Sequence, residues 1–259
     1  MNCFVGNGLI LWYNNFMEKA IIGVVAKHRD VSKLRTDTTI RDEIKDSIFH
    51  NGAIAIGILP SMKEIALVNP ENEKEIYENL NNIFSKEEME NMIVQINMCD
   101  GIVLAGGILS DVYEVWIANY CYKKNIPLLA ICAGENNLVR AVGGTIKHVD
   151  DESKHNQQTK DYAHDVEIKK DSLLFKMIGK ENLKVNSRHK RVVDNPSNLQ
   201  VVARDENGNV EAVEDKTKTC FVGVRFHPES LYLKDENHNN LIKSFIELCA
   251  KQNYKKSEM

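Results

Sequence analysis

Four short, unbroken apolar runs constrain this chain more than any other feature. They are Ala20–Ala26, Ala53–Leu59, Gly101–Leu104 and Pro127–Cys132. None alternates polar with apolar, so each predicts a strand buried on both faces, as parallel strands covered by helices are. Helical spacing fills the intervals. Ile44 and Ile48 lie four apart within Arg41–Asn51, and Ile76, Leu80, Ile83 and Phe84 recur through Glu75–Met98, with Met89, Ile93 and Ile96 beyond. Val112–Tyr122 reads as a further helix, and Glu135–Val142 as the one behind the fourth strand. Strand and helix in alternation predict an α/β architecture, a mostly parallel sheet flanked by helices. The strand order is not readable from this pattern.

The second half changes character. Lys147–Ala163 is polar and rich in His, Asp, Lys and Gln, as expected of a surface loop near a site. Leu199–Arg204 and Val210–Glu214 flank Asn207-Gly208, a β-hairpin signal. Cys220–Phe226 is another apolar strand, ending at His227-Pro228-Glu229, and Asn239–Ala250 is an amphipathic helix with Leu241, Ile242, Phe245, Ile246 and Cys249 on one face. The expected organisation is a disordered leader over residues 1–18, one domain over 19–251 with an added hairpin region in its second half, and a polar, frayed tail over 252–259.

Charge narrows the partners. The net value is −4 with both signs mixed along the chain, which supplies neither a basic footprint for nucleic acid nor a polybasic segment for a membrane surface. The apolar stretch Gly8–Tyr13 is too short to span a bilayer and has no basic residues before it. The six cysteines, Cys3, Cys99, Cys121, Cys132, Cys220 and Cys249, are irregularly spaced without a C-x-x-C pair. They read as reduced thiols in a cytoplasmic protein. Trp116 and the tyrosines of Val112–Tyr122 suit the core and a homodimer interface equally.

Chemistry points to Ala130-Ile131-Cys132-Ala133-Gly134. A buried strand ends, a cysteine follows, and a helix begins at once, with small residues two before and two after. This is the pattern of a nucleophile elbow, whose turn is so tight that only small neighbours fit. A helix starting behind the cysteine aims free N–H groups and the positive end of its dipole at the sulfur, favouring the thiolate. His227 follows a strand, where open α/β sheets place their sites. Glu229 is near enough to orient its ring. Ala105-Gly106-Gly107 follows the third strand and, with the N–H of Ala133, could form an oxyanion hole. His148, His155 and His164 with Asp150 and Asp151 show no tight metal-ligand spacing, and a solvated loop is expected there.

Together these segments resemble the class I glutamine amidotransferase-like proteins of the peptidase C26 kind, within which the stand-alone γ-glutamyl-γ-aminobutyrate hydrolases are most similar. The resemblance runs from about Ile21 to Ala250. It is carried by Asp100–Gly107, Ile131–Gly134, Ala141–Thr145, His155-Asn156-Gln157, Ala163-His164, Val185–His189 and Val224–Glu229. It implies a flavodoxin-like sheet and a catalytic triad of Cys132, His227 and Glu229. It also implies an oxyanion hole at Gly107 and Ala133, and substrate contacts from Gly106, Asn136, Gln157, Ser187 and His189. No metal and no organic cofactor are implied.

Where such proteins carry arginine and glutamine, this chain has Ala133 and Asn136, and where they carry histidine and glutamine after His189 it has Lys190 and Arg191. The two added cations suit a more acidic substrate. The activity implied is cysteine-dependent hydrolysis of a small γ-glutamyl amide through a thioester, at a C–N bond outside ordinary peptides or in the manner of an omega-peptidase. His227 would serve as base and then acid. Two other readings use the same residues: a glutaminase subunit supplying ammonia to a separate synthetase, and a catalytically altered binding protein on this fold.

Overall fold

The computed structural model describes residues 19–32, 35–60, 78–80, 82–107 and 112–257. The leader read over residues 1–18 and the first residues of the Glu75–Met98 helix lie outside them. In chain order the first half contains β1 (Ile21–Val25), β2 (Lys27–Ser32), β3 (Arg35–Thr39), α1 (Asp42–His50), β4 (Ile54–Ile58) and α2 (Lys86–Asn97). There follow β5 (Gly101–Leu104), α3 (Val112–Lys124), β6 (Leu128–Ile131) and α4 (Ala133–Arg140). The second half adds β7 (Thr145–His148), α5 (Glu152–His155), β8 (His164–Ile168), α6 (Leu173–Ile178), β9 (Asn182–Val185) and β10 (Arg191–Asn195). It ends with β11 (Gln200–Asp205), β12 (Val210–Glu214), β13 (Phe221–Val224) and α7 (Glu236–Ser257).

Nine strands form one sheet in the order β4-β1-β5-β6-β13-β12-β11-β8-β9. The four apolar runs of the first half become β1, β4, β5 and β6, all parallel, and β13 joins β6 in the same sense. From β13 outward the pairing turns antiparallel through β12, β11, β8 and β9. The mostly parallel sheet flanked by helices is therefore as expected, with the hairpin region as its antiparallel extension. Two antiparallel pairs, β2 with β3 and β7 with β10, stand apart from the main sheet.

The period of two in a strand explains why unbroken apolar runs were needed. Val103, Leu129 and Ile131 enter a core with α1, α6 and α7, whereas Ile102, Leu104, Leu128 and Ala130 enter a second core with α2, α3 and α4. Each strand thus feeds two layers. Helix α3 is buried from Val112 through Asn119, which assigns it to the interior of this chain.

Two boundaries differ from expectation. The helix read over Glu75–Met98 is interrupted, because Ser85 starts a new one: its hydroxyl accepts the Glu88 N–H at 3.2 Å and the Glu88 carboxylate accepts the Ser85 N–H at 2.8 Å. This capping box satisfies donors that a continuous helix would have paired within itself. The tail also differs, since α7 does not fray after Ala250 but runs to Ser257. Its apolar face anchors it. Phe245 is fully buried against the Gly101 backbone, where a Cβ on the glycine would come within 3.1 Å of the ring and 2.2 Å of the Cys249 sulfur. Removing the ring would leave a cavity between α7 and the first half of the sheet. Phe245→Ala is expected to cost about 3–5 kcal/mol in urea unfolding, whereas a loss under about 1 kcal/mol would mean that α7 is not a core element.

Candidate active site

Register brings the site together. In the β6–β13 pair Ile131 lies opposite Val224, and the Cys132 N–H donates to the Val224 carbonyl at 2.8 Å. In the β5–β6 pair Leu104 lies opposite Ala130. Three strands therefore end side by side, and the residues leaving them, Gly106, Cys132 and His227, converge above the sheet.

The turn at Cys132 is as tight as the elbow pattern requires. Cys132 holds φ 53° and ψ −105°, outside the basins that L-residues favour and a position of backbone strain. Gly134 packs against β5 so closely that a Cβ would lie 2.3 Å from the Leu104 carbonyl oxygen. Gly106 lies under the site: a Cβ there would meet His227 Cε1 at 2.6 Å and Cys132 Cβ at 3.4 Å. Only glycine permits that approach. Helix α4 begins at Ala133, and its first N–H groups, lacking acceptors within the helix, face the elbow.

His227 Nδ1 lies 2.7 Å from Glu229 Oε1, which leaves Nε2 to hydrogen-bond the Cys132 sulfur. The backbone of His227 is clamped as well: Asn186 Oδ1 accepts its N–H at 2.7 Å, and Asn186 Nδ2 donates to its carbonyl at 2.8 Å. Cys132, His227 and Glu229 are all buried. Burial alone would lift the Cys132 thiol, but the adjacent His227 outweighs it through charge and hydrogen bonding, and the thiol lies below its ordinary value. Burial works against the His227 cation too, yet Glu229 and Cys132 hold its pKa up at about 10. The two shifts describe one thiolate–imidazolium pair. The contrast with other thiols is sharp, for burial pushes Cys99 and Cys220 up to about 12 and raises Cys121 and Cys249 as well.

The elbow opens into a cleft of about 320 Å³, lined among others by Gly107, Cys132, Ala133, Asn136, His189 and His227. Arg41, Arg188, Lys190, Arg191 and Arg225 also line it, so its wall is strongly basic. Of the expected substrate contacts, Asn136 and His189 reach this cleft, and Gly106 lies beneath it. Gln157 does not, since its amide donates to the Ser153 carbonyl, and the neighbouring Gln158 occupies the wall. Ser187 is buried behind the wall, donating to the His155 carbonyl at 2.9 Å. Both were one step off because residue order along a loop does not reveal which side chain turns inward.

Sequence reasoning missed two features. Arg225 donates to Asn136 Oδ1 at 2.7 Å and to the Cys132 carbonyl at 3.2 Å, and forms a buried ion pair with Glu135. Burial pushes Glu135 up to about 7, opposed by Arg225. Gly223, opposite Ala130 in the ladder, makes the space: a Cβ there would lie 2.7 Å from Glu135 Cγ. The available signal was a cation and an acid inside otherwise apolar strand-end segments.

The second feature corrects the solvated-loop reading of His148–His164. His155 is buried and His164 half-buried, and with His189 and Glu211 they form a group whose donor atoms all lie within 4.8 Å of one another. The bridge Asn156↔Arg188 and the pairing of β8 with β9 fold this segment inward. Spacing along the chain could not reveal a cluster drawn from four separate elements.

A family model described as Peptidase C26 matches residues 108–229. The chain is 32% identical over 155 residues to the glutamine-hydrolyzing subunit of the GMP synthase of Methanococcus aeolicus, covering 58% of this chain and 74% of that one. It is 26% identical over 248 residues to the γ-glutamyl-γ-aminobutyrate hydrolase PuuD of Escherichia coli K12, covering 91% and 95%. Among solved structures, a putative GMP synthase subunit from Thermoplasma acidophilum superposes with a TM-score of 0.59 at 15% identity, covering 92% of this chain and 98% of that one. The glutaminase domain of Trypanosoma brucei CTPS does so at 0.59 and 18%, covering 90% and 94%.

The thiolate–imidazolium pair has a measurable pH signature. Its acid limit is the lowered Cys132 pKa and its alkaline limit the His227 value of about 10, so the thiolate persists below the pH at which an ordinary thiol loses it. The alkylation rate of Cys132 by iodoacetamide should therefore hold its plateau well below the ordinary thiol pKa of 9.0. In His227→Ala burial acts unopposed, and the inflection should move above that of a free thiol. An unchanged inflection would show that His227 does not set the charge of the sulfur.

Proposed function

The chain belongs to the class I glutamine amidotransferase-like proteins of the peptidase C26 kind, and from that premise we propose that it hydrolyses the γ-amide bond of a small γ-glutamyl compound through a thioester on Cys132. The observation that carries this reading is the buried Cys132–His227–Glu229 line at the floor of a cleft with a basic wall.

The geometry suggests the order of steps. The Cys132 thiolate attacks the γ-carbonyl carbon, and the carbonyl oxygen becomes an oxyanion facing the N–H groups of Gly107 and Ala133. His227, already cationic beside Glu229, donates the proton of Nε2 to the amide nitrogen as the C–N bond breaks, so it acts first as an acid. A water then gives a proton back to Nε2 and attacks the thioester carbon. The C–S bond breaks, glutamate leaves, and the ion pair is restored. Glu229 keeps the ring in place and stabilises its cation throughout. These steps call on side chains and backbone N–H groups alone.

The basic wall supports the substrate class. Lys190 and Arg191 line the cleft from one side and Arg41 and Arg188 from others, while Arg225 is neutralised by Glu135. An amine leaving group that carries its own carboxylate would find complementary charge there, whereas the ammonia of glutamine would not. A second reading, a glutaminase subunit delivering ammonia to a partner, is favoured by the higher identity to the Methanococcus aeolicus protein. That similarity covers 58% of the chain, against 91% for the hydrolase, and the longer match supports independent turnover.

Purified protein is expected to release glutamate from γ-glutamyl amides without any partner, and Cys132→Ala to lose that activity entirely. Turnover of glutamine alone, or only after addition of a synthetase-containing extract, would favour the second reading. Reversing the two wall charges, Lys190→Glu with Arg191→Glu, should raise KM for an anionic γ-glutamyl amide roughly tenfold and leave that of a neutral anilide nearly unchanged. An equal change for both would remove the anionic substrate class.

A further inference from the structure

The buried group formed by His155, His164, His189 and Glu211 takes no part in the chemistry above, and its hydrogen bonding is peculiar. His164 Nε2, His189 Nε2 and both carboxylate oxygens of Glu211 are buried without a hydrogen-bond partner among the described residues. The Glu211 side chain is fully buried, and those of His164 and His189 are 6% and 3% exposed. Such orphaned groups each cost on the order of 1–3 kcal/mol unless something binds them.

The far side of each ring is occupied. His189 Nδ1 lies 3.2 Å from the Arg191 carbonyl and His164 Nδ1 3.3 Å from the Asp165 carbonyl, both of which can only accept. His155 Nε2 lies 3.2 Å from Asp205 Oδ2, the strongest acceptor near it. The Asn209 amide, 3.3 Å from the same nitrogen, already donates to that carboxylate oxygen at 2.9 Å. Each ring therefore donates outward, and the lone pair of its second nitrogen is left facing inward. Outward donation to carbonyls and carboxylates is the arrangement that orients metal-bound histidines. The inward nitrogens, His155 Nδ1, His164 Nε2 and His189 Nε2, lie 3.7, 3.8 and 3.5 Å from Glu211 Oε1. Those separations are too long for hydrogen bonds. They are close to the roughly 3.3–3.6 Å between ligands held tetrahedrally at about 2.0–2.2 Å from a zinc ion.

We infer that His155, His164, His189 and Glu211 form a closed four-ligand site for a divalent transition-metal ion of the zinc class. Three imidazoles and one carboxylate complete a tetrahedron, leaving no open position for substrate, so the ion is structural. It joins the ends of α5 and β8 and the segment after β9 to β12. His189 also lines the cleft, which gives the ion a way in and makes the site a brace for the wall bearing Lys190 and Arg191. The inference is independent of the reaction at Cys132.

The test uses full-length Cys132→Ala protein, so that the elbow thiol cannot hold the metal. Zinc titrated against a chromophoric chelator should bind at one ion per chain with submicromolar affinity, and cobalt in its place should give the intense ligand-field bands of a four-coordinate ion. Adding Glu211→Gln or His164→Ala should weaken zinc binding by at least about 100-fold. Absence of saturable binding at one per chain to natively folded protein would overturn the inference, as would undiminished binding in the variants. A thiolate-to-cobalt charge-transfer band would place the ion on a cysteine and overturn it too, whether or not the variants fold.

Discussion

The parallel pairing of β6 with β13 is the constraint on which the rest depends. With Ile131 opposite Val224, the chain must leave both strands at the same level, and Cys132 and the segment Arg225–His227 emerge together. A slip of one residue would turn every side chain of β13 to the opposite face. Apolar burial on both faces fixes the register, since Phe221 and Val213 enter one core while Val222 and Val224 enter the other. The strain at Cys132, with its positive φ, is sustained because β5, β6 and β13 hold the backbone on either side of the turn. Packing energy distributed over the sheet thus stabilises one unfavourable residue at its edge.

The same geometry explains how so many charges can be buried in one place. Isolated, each would cost on the order of several kcal/mol in desolvation. Here they alternate in sign: Cys132 against His227, His227 against Glu229, and Arg225 against Glu135. Arg225 also braces the elbow by donating to the Cys132 carbonyl and to Asn136. Asparagine at 136 is long enough to accept that bond, so this position serves the elbow's own support as well as the cleft wall. The site is therefore a network in which removal of any one charge leaves its neighbour uncompensated.

Legibility followed the physics of each element. Buried parallel strands must be apolar on both faces, so β1, β4, β5 and β6 were written as unbroken runs. The elbow is a local device, so Cys132, Ala133 and Gly134 could be read from five residues. His227 and Glu229 were readable because a strand ends just before them. What depended on tertiary contact was not. Nothing in His155-Asn156-Gln157-Gln158 marks which glutamine turns inward, and the Gln157 amide goes to Ser153 while Gln158 lines the cleft. Ser85 interrupts a stretch whose apolar spacing runs on regardless, because a cap acts through hydrogen bonds that periodicity does not register. The ligands grouped around Glu211 come from α5, β8, the turn after β9 and β12, and only the folded ladder brings them together.

A division of labour follows from where each part is attached. The reacting groups sit at strand ends, held by the sheet, and their geometry is insensitive to the composition of the long connection from β7 to β10. That connection supplies most of the cleft wall: His148, Asn156, Gln158, Arg188, His189, Lys190 and Arg191. It is tied to the sheet chiefly at its polar centre, through Asn186 on the His227 backbone and through the imidazoles around Glu211. Chemistry and selectivity therefore rest on different physical supports, one apolar and distributed, the other polar and concentrated at a few atoms. A change in the polar support would shift the wall, and with it the choice of leaving amine, while leaving the thiolate–imidazolium pair on the sheet intact.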